Sequence, residues 1–240
     1  MQIEMEKILT GHLPQEKAAY LGALASLATA DRHAGEEEIN HLKEMSSAAG
    51  LPESETKIVL DAANDSSGKY LLKCLNTLKT SELRYSLVTD LIALAKADDH
   101  YTEDEKENIQ KVSRYLDVNT DQFSVLDQYI DKAAEAISDT EEITKPESLG
   151  MKSKFSEAGI NLGSIGKGLI GMLGPMILGG IAARSLGGSR GSGGNVTGMG
   201  LPGNLGGSGG FGGGLGSLIS GMTRSRNNQT MGSLLGRLLK

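Results

Sequence analysis

The chain repeats itself. Laying Leu24–Leu51 on Leu91–Val118, an offset of 67, aligns 28 positions without a gap, and nine are identical: Leu24/Leu91, Leu27/Leu94, Ala28/Ala95, Ala30/Ala97, Asp31/Asp98, His33/His100, Glu36/Glu103, Glu38/Glu105 and Ser46/Ser113. Self-similarity at a fixed offset means that one supersecondary unit is used twice. Each copy reads as an apolar helix, a short acidic turn and an amphipathic helix. The turns are Ala30-Asp31-Arg32-His33-Ala34-Gly35-Glu36-Glu37-Glu38 and Ala97-Asp98-Asp99-His100-Tyr101-Thr102-Glu103-Asp104-Glu105.

The remainder of the chain as far as Ser138 follows the same helical period. Pro14 opens a helix at a position where its missing N–H costs nothing, and Leu21, Leu24, Ala25, Leu27 and Ala28 recur at helical spacing. Ile39, Leu42, Met45 and Ala49 form the stripe of the next helix, which stops at Gly50. Pro52 opens a third, and a short helix over 70–78 carries the single cysteine, Cys74, expected to be a buried apolar side chain. Thr80 or Ser81 starts a long helix, Thr102-x-x-Glu105 and Asn119-x-x-Gln122 read as capping boxes, and Phe123, Leu126, Ile130, Ala133 and Ile137 line a final helix. No stretch alternates like a strand, so residues 1–138 are expected to be all-α, a compact bundle of two pseudo-repeats.

Composition changes abruptly after that. Through Leu149 there are 15 Lys/Arg against 29 Asp/Glu, and beyond it nine basic residues against one acid. Of the 33 glycines, 27 lie in 159–240. The expected division is a helical body (1–138), a polar linker (139–158) and a Gly-rich, basic, partly apolar low-complexity tail (159–240). An acidic body argues against nucleic-acid binding, and leaves the tail as the anion-facing surface. The uncharged run Gly168–Ala183 has 16 residues, short of the ~20 of a spanning helix. Counted from Gly159 it reaches a spanning length only with Lys167 snorkelling or buried, so peripheral contact with an anionic membrane, docking on a protein partner and self-association are the uses expected of the tail. One cysteine and an acidic N-terminus without signal-peptide order place the body in the cytoplasm as a default.

The acidic turns carry the chemistry. In each copy an Asp ends one helix, and a Glu seven positions on lies in the first turn of the next. If the copies pair about a pseudo-twofold axis, Asp31, Glu38, Asp98 and Glu105 face one another, with Asp99 an additional ligand. Hard cations take six to eight oxygen ligands, which favours Ca²⁺ or Mg²⁺. His33 and His100 keep Zn²⁺ or Mn²⁺ open as lesser alternatives. An EF-hand is excluded, because twelve-residue loops begun at Asp31 or Asp98 end on Leu42 or Ile109, where a Glu is needed. Acids in a helix's first turn are also favoured by the helix dipole alone. That explains the Glu runs but not Asp31 and Asp98, which lie at the disfavoured end. No nucleophile–base grouping, Walker loop or dinucleotide fingerprint is present, so the expected role is non-enzymatic.

The pattern Ala-Asp-x-x-x-[Ser/Thr/Gly]-x-x-Glu between an apolar and an amphipathic helix, occurring twice over residues 14–138, resembles the TerB-like family of tellurite-resistance proteins and related co-chaperone N-terminal domains. The resemblance implies a compact helical bundle that takes part in divalent-metal binding and in membrane-associated stress complexes, inner-membrane association included. It assigns Asp31, Glu38, Asp98 and Glu105 to the family's acidic positions. Two departures stand out. Where the family usually has Gly after the Asp, this chain has Arg32, a countercharge to Asp31, and Asp99, a further acid. The reading that results is a metal-binding scaffold or sensor tethered through its tail. The alternative is a protein-interaction module with a solvated acidic face and a tail that self-associates or docks on a larger assembly.

Overall fold

The computed structural model describes residues 8–29, 34–96, 103–137 and 147–165. Among them the regular elements are all helical: α1 (Pro14–Ala28), α2 (Glu36–Ala48), α3 (Glu53–Asn64), α4 (Lys69–Leu78), α5 (Leu83–Lys96), α6 (Glu103–Tyr115), α7 (Thr120–Ile137) and α8 (Lys152–Glu157), followed by a 3₁₀ turn over Leu162–Ser164. The duplication is visible in the bounds. Helices α2 and α6 both start and stop at positions that the repeat makes equivalent, and α3 and α7 start at equivalent positions too. The repeated unit is thus three helices, α1–α3 and α5–α7, with α4 between them.

Equivalent positions end the second helix of each unit by the same device. Gly50 (φ +67°) and Asp117 (φ +56°) turn left-handed. The N–H groups of Leu51 and Val118 then reach back to the carbonyls of Ser46 and Ser113, both at 2.9 Å, which closes the orphan carbonyls of the last turn. Starts are matched to sequence as well. The Asn119 N–H donates to Gln122 Oε1 (3.0 Å) and the Gln122 N–H to Asn119 Oδ1 (2.9 Å), a full reciprocal box at the head of α7. At α2 the first residue outside the helix is Gly35, which has no side chain to offer, so only the Glu38 half of the box forms.

Helix α1 packs on α3 and α4, α5 packs on α6 and α7, and the two units meet along α1 and α5. From Leu83 to Leu94 only Arg84 of α5 escapes burial, which makes it the central helix of the second unit. Its one carboxylate, Asp90, is buried to 1% and accepts a hydrogen bond from the hydroxyl of Tyr20 on α1, itself fully buried. Tyr129 on α7 feels the same group: burial first, and the Asp90 charge second, push its hydroxyl above the ordinary tyrosine range. A hydrogen bond to a charged acceptor contributes about 1.5–3 kcal/mol.

The body extends further than composition suggests. Ile8 and Leu9 belong to the core. Residues 147–158, within the stretch that composition marks as a polar linker, include α8, and Met151 and Phe155 are fully buried against the body. Their i, i+4 spacing is the signal that charge and glycine counts hide. The start of the tail shifts too, since Ile160 and Ile165 are also buried; residues 166–240 lie outside the described residues, as do residues 138–146. Among the described residues no helix is long and apolar enough to cross a membrane.

Cys74 is buried as its sequence context predicts, and desolvation pushes its thiol up to about 12. Its sulfur explains Gly22 in mid-helix: a Cβ there would lie 2.9 Å from Cys74 Sγ. Gly22→Ala should therefore destabilise the body by about 1–2 kcal/mol, overpacking outweighing the roughly 1 kcal/mol that alanine gains in helix propensity. In a Cys74→Ala background the sign should reverse, because the clash is gone and the propensity gain remains. Chemical denaturation of the four variants measures both effects.

Candidate functional site

Each acidic turn joins the first and second helices of a unit, so what fixes it is how those helices end and begin. The residue before the first turn, Thr29, donates its hydroxyl to the Ala63 carbonyl at the end of α3 at 2.7 Å, with the Ala25 carbonyl at 2.9 Å. Its equivalent in the second copy, Lys96, sends its ammonium to Asp127 and Asp131 of α7 at 2.7 and 2.6 Å. With only 11% of its side chain exposed, Lys96 makes a more confined pairing than a surface bridge, which contributes about 0–1 kcal/mol. Different chemistry thus does one job in both copies. It ties the end of the unit's first helix to its third helix, immediately before Ala30-Asp31 and Ala97-Asp98. Lys96 also places a cation where the C-terminal end of α5 is partially negative.

On the far side of each turn the second helix begins. Glu38 sits in the first turn of α2 and is buried to 2%. Its Oε2 accepts the Gly35 N–H at 2.8 Å. Glu38 heads the same inward stripe as Leu42, Met45 and Ala49, all buried, so it points into the bundle rather than to solvent. One turn further, His41 is buried to 3%, with Nδ1 3.6 Å from Glu44 Oε2. Burial lowers the His41 pKa below its ordinary value, against the opposing pull of Glu44. The equivalent of His41 is Asn108, also buried, whose Oδ1 accepts from Lys111 Nζ at 3.4 Å. A polar side chain is therefore kept inside at this position in both units.

Of the five acids proposed from sequence, Glu38 is the one whose side chain the structure describes. Glu105 lies in the first turn of α6 by backbone, its side chain outside the description. Asp31, Asp98 and Asp99 fall in 30–33 and 97–102, outside the described residues, as does the Thr102 half of the capping box. Among the described residues no group of three or more His, Cys, Asp or Glu side chains is arranged to hold a metal ion. Thr29, Lys96, His41 and Asn108 were not singled out by sequence reasoning. Carrying the repeat through the polar positions would have paired Thr29 with Lys96 and His41 with Asn108.

The pieces present are two equivalent helix junctions, each anchored on the third helix of its unit, each rich in carboxylates, and in the first copy with one carboxylate drawn inward. No curated protein and no solved structure matches the chain. Residues 16–128 match the family described as Tellurite resistance protein TerB, a span that takes in α2–α6 whole and part of α1 and α7. The helical body of this chain carries a TerB-like domain.

Proposed function

We propose that this chain is a non-enzymatic divalent-cation-binding scaffold or sensor of the tellurite-resistance type. In this reading Asp31, Glu38, Asp98 and Glu105 form one acidic site, Asp99 adds a ligand, and the tail tethers the body to a membrane or partner. The observation that supports it best is the common register of α2 and α6, whose bounds coincide when one copy of the repeat is laid on the other. That register gives Glu38 and Glu105 the same place in their helices and puts Asp31 and Asp98 the same distance upstream. Carboxylates gathered without a cation repel by about 1 kcal/mol per pair at 4 Å in water and several-fold more where solvent is excluded. All-oxygen donors of this kind suit Ca²⁺ or Mg²⁺ better than softer ions.

One observation favours the second reading. The bond from the Gly35 N–H to Glu38 is what a helix start asks of a Glu with or without a metal. If capping is all that Glu38 does, the acidic turns are the surface of an interaction module.

Thermal melting separates the two. A cation that binds the folded state alone stabilises it by ~2.7 kcal/mol at a hundredfold excess over Kd, a rise of about 5–10 °C for a domain of this size. Millimolar Ca²⁺ or Mg²⁺ should produce such a rise, and sodium at matched ionic strength should not. Asp98→Asn should blunt it more than Asp31→Asn, because Asp99 strengthens the second turn and Arg32 weakens the first. Unchanged melting in both cations would leave the turns as helix caps.

The tail adds a separate expectation. Residues 166–240 carry seven basic residues and no acid, and each basic residue near an anionic surface contributes about 1 kcal/mol. The chain should float with anionic vesicles at low salt and be released at high salt, and a chain ending at residue 165 should not float. Retention at high salt would point to stable insertion, and no flotation at all to a protein partner.

A further inference from the structure

Residues 147–165 lie beyond the span matched by the family, yet they are seated on the body. Met151, Phe155, Ile160 and Ile165 are 0, 0, 3 and 8% exposed. The ring of Phe155 meets that of Tyr129 on α7 edge-on, 5.7 Å between centroids, and the 3₁₀ turn reaches α5. The polar links across this contact include Lys154 Nζ to Gln128 Oε1 at 2.7 Å and Gln122 Nε2 to the Ala158 carbonyl at 3.0 Å.

Several of the segment's backbone hydrogen bonds close within itself, while the Ala158 carbonyl takes its donor from Gln122. Phe155 N–H donates to Met151 O, Ala158 N–H to Lys154 O and Ile160 N–H to Phe155 O, at 3.0, 3.0 and 2.9 Å. Gly150 and Gly159 provide left-handed turns on either side of α8, at φ +66° and +67°. The body in turn needs nothing from the segment to start α7, whose first turn is capped by Asn119 and Gln122. A short folded piece that closes its own helical turn, takes one backbone donor from the body and offers mainly apolar side chains to two helices is held as a bound peptide is held.

We propose that residues 147–165 are a cis-docked strap, a resident ligand of the α5–α7 face that is separable from the cooperative core of the body. The strap roots the basic tail, which follows from Gly166, on this face. It also covers Tyr129 and its apolar neighbours, the surface that a released strap would expose to another segment of the same kind. The proposal does not depend on cation binding.

Gln122 gives the sharpest test. Its Oε1 caps α7 while its Nε2 donates to both Tyr85 Oη and Ala158 O. Gln122→Glu keeps an oxygen for the Asn119 N–H and turns the donor toward the strap into an acceptor. In hydrogen exchange on the full chain, amides of 155–160 should exchange about tenfold faster in this variant, the factor expected when a half-buried carbonyl loses its donor. Amides of α1–α5 and of the first turn of α7 should be unchanged. Phe155→Ala should accelerate the same region further. A fluorescent synthetic peptide of residues 147–165 should bind the Phe155→Ala chain and bind the wild-type chain at least about tenfold more weakly, because the wild-type face is occupied. The proposal is overturned if exchange rises uniformly through the body, which would make the segment an integral part of the core. It is also overturned if 155–160 is unaffected in both variants, or if the peptide fails to distinguish the two chains. Should Phe155→Ala fail to fold, the Gln122→Glu exchange pattern decides.

Discussion

The two units are locked together by the hydrogen bond from Tyr20 to Asp90. A carboxylate 1% exposed in the middle of a helix is tolerated only when its charge is met by donors, so Asp90 favours a position of α1 from which Tyr20 can reach it. The pair also breaks the internal symmetry. Under the repeat, Asp90 corresponds to Ala23 and Tyr20 to Leu87. Two similar helical units could otherwise slide or exchange places along an aliphatic seam with little preference. A polar contact between non-equivalent positions singles out one arrangement, the use for which buried polar groups are best attested.

From that seam outward, symmetry returns. Thr29 and Lys96 tie the ends of α1 and α5 to the third helices, and α2 and α6 begin in step beyond each turn. The described residues on either side of each acidic turn thus belong to packed parts of the fold. Glu38 serves two ends at once. Facing inward, it both caps α2 and brings a carboxyl group into the bundle, and His41, one turn on, is held toward its neutral form by burial.

Much of the fold was legible in the sequence because it is periodic. The bounds of α2 and α6 follow from stripes such as Leu42–Met45–Ala49, the start of α7 from Asn119-x-x-Gln122, and the burial of Cys74 from its place among leucines. What escaped was aperiodic or against type. Asp90 reads as a solvent-facing residue in any hydropathy pattern, and its partner Tyr20 lies on a helix far away along the chain. The strap escaped because a short helix flanked by glycines, amid linker-like composition, leaves Met151 and Phe155 as its main apolar signal. Glu38 reads from sequence as a ligand facing its counterparts. Its inward direction follows from its place four positions ahead of Leu42, a consequence of helical period that its charge obscures. The acids of the turns themselves rest on repetition and family likeness, the kind of signal a sequence carries best, while their local geometry falls outside the described residues.

Whether the two duplicated turns make one shared cation site is decided by stoichiometry. Calorimetric titration of the full chain with Ca²⁺, repeated with Mg²⁺, reads it directly. A shared site predicts one ion per chain, lost on neutralising either Asp31 or Asp98. Two ions per chain, with each substitution removing only one, would show two independent turns and contradict the pairing. An absence of binding heat for Ca²⁺, Mg²⁺, Mn²⁺ and Zn²⁺, with melting unchanged in all four, would contradict the site altogether.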